Sequence, residues 1–285
     1  MNEEPQMDNQ STESTESAEN KLPVAAQNFF SRSRRREEKE QVADKEVKPY
    51  AKLPAVQAYT MPVITLALTA IWWIKPMLNG TLTNRLTFEQ VWPLLAYSVF
   101  CAAAIALEIV ERFEKKDWRI YAFLAASLVV LFSSSLRNRF EILVLLLLLI
   151  LVLAILPFPM VQLQNGLGLV ALASLVTFSV PVCVAFLANN YVDQTFLNGS
   201  WTFFYASLFY LTALFLPKSQ GRLLGLLTGG LYVGRLLVFH SFGPASILAL
   251  ILAAGVYTLS FIRPLTYRYQ PMVAMLALLL SVLAL

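Results

Sequence analysis

The sequence predicts an all-α protein, a polytopic bundle of transmembrane helices preceded by a disordered, charged N-terminal tail. Three observations predict it. Hydrophobic residues make up 57% of the 285 and charged residues 14%, with a mean hydropathy of +0.60, whereas a soluble domain carries about 25% charged residues. Apolar runs of about 17 to 20 residues recur along the chain, the length that a hydrocarbon core of roughly 30 Å asks of a helix. Charge is also segregated, since eleven of the eighteen acidic residues precede Leu53.

The tail, residues 1–50, contains the acidic, low-complexity STESTESAEN and the densely charged SRSRRREEKEQVADKEVK. Neither has the apolar surface needed to offset the entropy of ordering, so a cytoplasmic disordered segment is expected. Between them lies LPVAAQNFF, an apolar island beside Arg32, Arg34, Arg35 and Arg36. It reads first as a spacer, and second as a docking segment for anionic lipid or a membrane-protein partner. No secretory leader is expected, because the first long apolar run starts near Tyr59.

The membrane domain, residues 51–285, divides into about nine spans at 59–77, 91–110, 120–136, 142–158, 167–187, 202–216, 223–239, 247–262 and 272–285. The last is short for a crossing, and the count falls to about eight if it only lies against the bundle. Lys and Arg favour the cytoplasmic side of a membrane. An N-terminus inside gathers Arg112, Lys115, Lys116, Arg119, Lys218, Arg222, Arg263 and Arg268 there. Only Arg85, Arg137 and Arg139 fall outside, and the last two make the third and fourth spans the weakest assignment. The C-terminus then lies on the side opposite the N-terminus. Trp72, Trp73, Trp92 and Trp201 fall near outer ends and Trp118 near an inner one, matching the interfacial preference of indole rings.

The net charge of +4 does not point to nucleic acid, since the basic residues outside the tail sit mostly at the ends of apolar runs. The expected partners are the lipid bilayer and a membrane protein that engages the tail. Cys101 and Cys183 have no paired spacing and are expected to pack as small apolar residues. The lone His240 has no cluster of metal-ligating residues around it in sequence, so neither a metal nor another cofactor is indicated.

The seventh span, within KSQGRLLGLLTGGLYVGRLLVFH, carries five glycines. Gly221, Gly225 and Gly229 recur every four residues, and Gly230 and Gly234 repeat that spacing on nearly the opposite side. Small residues at i, i+4 let helix backbones approach closely where lipid gives no hydrophobic drive. Two such faces predict a helix packed on both sides, inside the bundle. Arg235 shares a face with Thr228 and Tyr232. A charge there needs a partner or a route to the interface, and Asp193, in the preceding outer loop, is the expected one. Arg235, Asp193, Tyr232 and Thr228 form the candidate substrate-binding set, with interfacial anchoring of Arg235 as the plainer reading.

In the fifth span Pro181 removes a backbone donor and predicts a kink, with Ser174, Thr177 and Ser179 able to satisfy freed carbonyls. Residues 142–156 are almost entirely Leu, Ile and Val and are expected to face lipid. Glu108, the one acid well inside a span, is expected to pair with Arg112 one turn on. The pairs Asn79–Gly80 and Asn198–Gly199 read as turns.

Three functions fit. A permease-like carrier for a small or amphipathic solute, without evident proton coupling, uses the span count and Arg235. A non-catalytic subunit or assembly factor uses the tail and the glycine faces. A membrane-embedded enzyme lacks the convergent polar groups that catalysis needs.

Overall fold

The computed structural model describes residues 54–78, 87–113, 117–137, 139–158, 161, 163–216, 218–239, 243–262 and 269–285. The tail, Asn79, His240, Arg263 and Arg268 lie outside the described residues. Among those described there is no strand.

The helices are α1 (Pro54–Leu78), α2 (Phe88–Val110), α3 (Trp118–Leu131), the short α4 (Ser134–Arg137), α5 (Phe140–Ile155), α6 (Gly166–Asn189), α7 (Gln194–Phe215), α8 (Lys218–Phe239), α9 (Pro244–Tyr257) and α10 (Gln270–Ala284). A π-helical turn, Thr258–Ile262, extends α9. Local chemistry sets many of the starts. The side chain of Asp117 accepts from Arg119 N at 3.0 Å, that of Asn165 from Gly168 N at 3.0 Å and that of Asp193 from Gln194 N at 2.7 Å. Each occupies one of the backbone donors that a helix leaves open at its N-terminus. Gly243 precedes α9 with Pro244 in its first turn, where a missing N–H costs nothing. Asn190 ends α6 in the left-handed region at φ 60°, a conformation that asparagine tolerates better than most residues.

Among the described residues five helices are long and apolar enough to cross a membrane: Tyr59–Leu78, Phe88–Val110, Gly166–Asn189, Gly221–Phe239 and Pro244–Ile262. The chain therefore reads as an integral membrane protein. The other expected spans coincide with helices that are shorter or more polar. Helices α3, α5 and α10, with 14, 16 and 15 residues, reach about 21 to 24 Å at 1.5 Å per residue, short of a full hydrocarbon core. The expected span 120–136 is interrupted at Phe132–Ser133, inside a serine run that favours turns. The chain restarts there as α4, from which Ser135 Oγ donates to Glu89 O at 3.0 Å. Helix α7 starts at Gln194, after its Asp193 cap and eight residues before the expected 202, so Asn198–Gly199 lies within a helix rather than a turn. Its first turns, QTFLNGSW, are polar, and α7 is not among the five.

The core is built on α2. Its residues 101–109 are all buried, and the run CAAAIA lets neighbouring helices come close. Helix α2 packs chiefly against α3 and α1; α6 packs against α1, α5 and α7; α10 packs against α1, α7 and α9. Trp72 and Trp73 belong to the core, at 0% and 9% exposure, covered by neighbouring helices. Burial of an indole requires a partner for its N–H. Trp72 Nε1 donates to Val176 O of α6 at 2.6 Å, and Trp73 Nε1 to Ser98 Oγ of α2 at 2.9 Å. Trp92, Trp118 and Trp201 remain exposed. Helix α5 is only half turned outward: Val144, Leu148 and Leu151 are exposed while Leu146, Leu149 and Leu153 are buried, and Leu146 O accepts Tyr97 Oη at 2.7 Å.

Cross-links sort the helix ends into two groups. At one end Lys75 Nζ reaches Val282 O at 3.1 Å, Arg139 Nη1 reaches Asn190 Oδ1 at 2.7 Å, and Arg235 Nη2 reaches Asn198 O at 3.1 Å. At the other, Gln164 Nε2 donates to Phe113 O at 2.5 Å and Gln270 Nε2 to Ala213 O at 3.4 Å. Arg139 also lies over the Phe186 ring, 5.6 Å from its centroid. A cation at the C-terminal carbonyls of α6 complements the helix dipole, which gives Arg139 a structural reason to stand where the charge bias argued against it.

Candidate functional site

Helix α8 is peripheral rather than interior. Its Gly221 and Gly225 sit against Phe261, and Gly229 against Phe209, so that a Cβ added to any of them would come within 3.3 Å of a ring carbon. Gly230 and Gly234 have nothing within 4 Å of such a Cβ. The two glycine faces thus differ: one seats α8 on α7 and on the end of α9, and the other is bare. Leu223, Leu226, Leu227, Leu231 and Val238 flank the bare stripe and are all exposed.

The seated face carries Thr228, Tyr232 and Arg235. Thr228 Oγ1 donates to Leu224 O at 2.8 Å and lies 3.3 Å from Thr212 Oγ1 of α7. Tyr232 is wholly buried, stacked on Phe209 and edge-on to Tyr210, and its hydroxyl has no hydrogen-bond partner. Arg235 does not take the partner expected for it. Its guanidinium lies over the Phe239 ring, with Cζ 3.4 Å from the centroid, and donates to Asn198 O. A ring one turn along its own helix and a carbonyl in the polar first turns of α7 suffice to hold the charge near the bundle end. Asp193 meanwhile is spent on the α7 cap. Three of the four candidate residues therefore gather on the α7–α8 seam, and the fourth opens α7.

Pro181 is buried within α6, which runs through it without interruption. Around it Ser179 Oγ donates to Leu175 O at 2.5 Å and Thr177 Oγ1 to Ser207 Oγ of α7 at 3.4 Å. Ser179 thus bonds back within its own helix, and Thr177 links α6 to α7. Cys101 and Cys183 are buried free thiols, and Cys101 Sγ donates to Ser127 Oγ at 3.4 Å. A cavity of about 10 Å³, lined by Val256, Leu259, Ser260, Gln270, Val273 and Ala274, lies between the π-helical turn and α10; it has room for one water molecule.

A second polar locus sits at the foot of α2. Glu108 has 0% exposure, and neither carboxyl oxygen has a hydrogen-bond partner. The expected pair with Arg112 is not made. Helix α2 ends at Val110, and Arg112 and Phe113 turn through positive φ, 56° and 59°, which breaks the i, i+4 geometry the pair requires. Phe113 N closes back onto Glu108 O at 2.8 Å, and the Phe113 ring is buried against Phe215, with centroids 4.9 Å apart. From α3, Tyr121 lies within electrostatic reach of Glu108, and its shielded hydroxyl likewise lacks a partner.

Lys75 escaped the sequence reading. It is 8% exposed, with its amine on the last turn of α10. The lysine inside the apolar run IWWIKPML was the available signal. The chain matches no protein-family model, no curated protein and no solved structure.

Proposed function

We propose that the chain is a non-catalytic subunit of a membrane complex, a rigid helical body against which another membrane protein packs. The observation that carries this is the solid, cross-linked centre. Trp72, Tyr97 and Tyr210 are each wholly buried and each hydrogen-bonded to another helix: to Val176 O, to Leu146 O and, at 2.7 Å, to Ser281 Oγ. A solute route through such a centre has to undo those bonds and repack rings that fill the space at crystal-like density. The bare Gly230–Gly234 stripe of α8 supports the same reading, because close approach of a second transmembrane helix is what such spacing permits. The expected occupant is a helix of another membrane protein, with the tail, residues 1–50, as a further contact.

The test is purification from native membranes. A stable partner should accompany the full chain and be lost from a Gly230→Ile/Gly234→Ile variant whose unfolding temperature is unchanged. Recovery of the wild type alone, or retention of the partner by the variant, would overturn the reading. Loss on deleting residues 1–48 would assign part of the contact to the tail.

A carrier for a small or amphipathic solute is the second reading. It is favoured by one observation, the buried and unpartnered Glu108, since ionisable groups inside spans commonly mark transport paths. Solute uptake by liposomes containing the purified protein, lost in Glu108→Gln, tests it.

A further inference from the structure

Tyr97, Cys101 and Glu108 fall within about 40° of one another around α2, given 100° per residue. The first two have partners on neighbouring helices, Leu146 O and Ser127 Oγ. Glu108 has none, although it is the most polar of the three and wholly buried. Buried polar groups are nearly always satisfied, so both orphaned oxygens require an explanation. On α3, the helix packed most extensively against α2, the Tyr121 hydroxyl also lacks a partner.

We propose that Glu108 is a proton-binding site, its carboxyl holding one proton in the packed bundle. The ligand class follows from burial and from coordination. Every residue from Cys101 to Ile109 is buried, Glu108 wholly so, and a lone buried carboxyl avoids the cost of desolvating its charge by holding a proton. A hard metal ion asks for about six oxygens, and among the described residues no three His, Cys, Asp or Glu side chains gather closely enough to hold one. A proton needs a single oxygen. The carboxylate takes it from hydronium at the bundle end, leaving water, and returns it by the reverse step.

The gate is the turn that follows. Arg112 and Phe113 both hold left-handed backbone, which costs a non-glycine residue strain. The turn is closed by Phe113 N on Glu108 O, by Gln164 on Phe113 O and by the seating of the Phe113 ring on Phe215. Releasing these contacts exposes the carboxyl to solvent, and restoring them seals it. Cys101 on its own helix and Tyr121 on α3 interact electrostatically with Glu108, and Glu111 and Arg112 follow in the turn. The inference stands whether the bundle is a subunit or a carrier.

Infrared difference spectroscopy on the full chain, in a detergent free of carbonyl groups, reads the site directly. At about pH 8 an ordinary solvent-exposed carboxyl is ionised. A carboxylic-acid C=O band that shifts in D2O is expected in the wild type and should vanish in Glu108→Gln. If that variant does not fold, Glu108→Asp should retain the band at a shifted frequency. A wild type without the band, or a band left unchanged by either variant, would overturn the proposal. Phe113→Ala should speed deuterium exchange of the band several-fold, and an unchanged rate would overturn the gate.

Discussion

Two alanine substitutions on α8 separate its seated face from its bare one. A Cβ at Gly225 would lie 2.9 Å from Cε2 and 3.2 Å from Cζ of Phe261, with Tyr257 Cε2 at 3.7 Å. The ring has to move. Overpacking of this kind costs about 1 to 3 kcal/mol, against which removing a mid-helix glycine returns up to about 1 kcal/mol. Gly225→Ala should therefore range from neutral to about 2 kcal/mol less stable. At Gly230 the added methyl meets nothing within 4 Å, so only the favourable helix-propensity change remains and Gly230→Ala should gain up to about 1 kcal/mol. The two variants should differ by about 1 to 3 kcal/mol, or roughly 2 to 12 °C in unfolding temperature at 2 to 4 °C per kcal/mol. Thermal unfolding of the detergent-purified protein, followed by tryptophan fluorescence, measures it. Equal unfolding temperatures, or Gly225→Ala the more stable, would refute the assignment of Gly225 to the packed face.

Two further predictions concern positions fixed by hydrogen bonds. Gly168→Ala would drive its methyl into the Leu163 carbonyl, a backbone group that cannot rotate away, so a loss of about 3 kcal/mol or more is expected and a thermal midpoint near wild type would contradict it. Trp73→Phe removes the donor to Ser98 Oγ but leaves that hydroxyl bonded to Leu95 O at 2.7 Å, so about 0.5 to 1.5 kcal/mol should be lost by the same measurement; no loss at all would return Trp73 to an interfacial role.

Helix class and most helix positions were legible, because long apolar runs admit few alternatives once charge is confined to their ends. Orientation around each helix was much less so. Trp72 and Trp73 carry the composition of an interfacial pair, and only their acceptors on α6 and α2 turn them inward. Those acceptors lie far off in sequence, Val176 being 104 residues away. Gly225 and Gly230 have the same local spacing, and nothing nearby in sequence says which meets a phenylalanine ring. The start of α7 was within reach, since Asp193 is a favoured cap residue. Assigning that carboxylate to Arg235 hid its local role. Glu108 was misjudged for a similar reason: an i, i+4 partner presumes a continuing helix, and α2 stops at Val110.

The contact between Lys75 and Val282 joins groups 207 residues apart. At about 5 to 20 residues per second, a ribosome needs roughly 10 to 40 s between making one and making the other. Throughout that interval α1 carries an amine whose eventual acceptor has not been synthesised. Until it exists, water at the bilayer surface or the insertion machinery must solvate that amine. Docking of α10 then joins it to α1, making this contact a late one among those the structure describes.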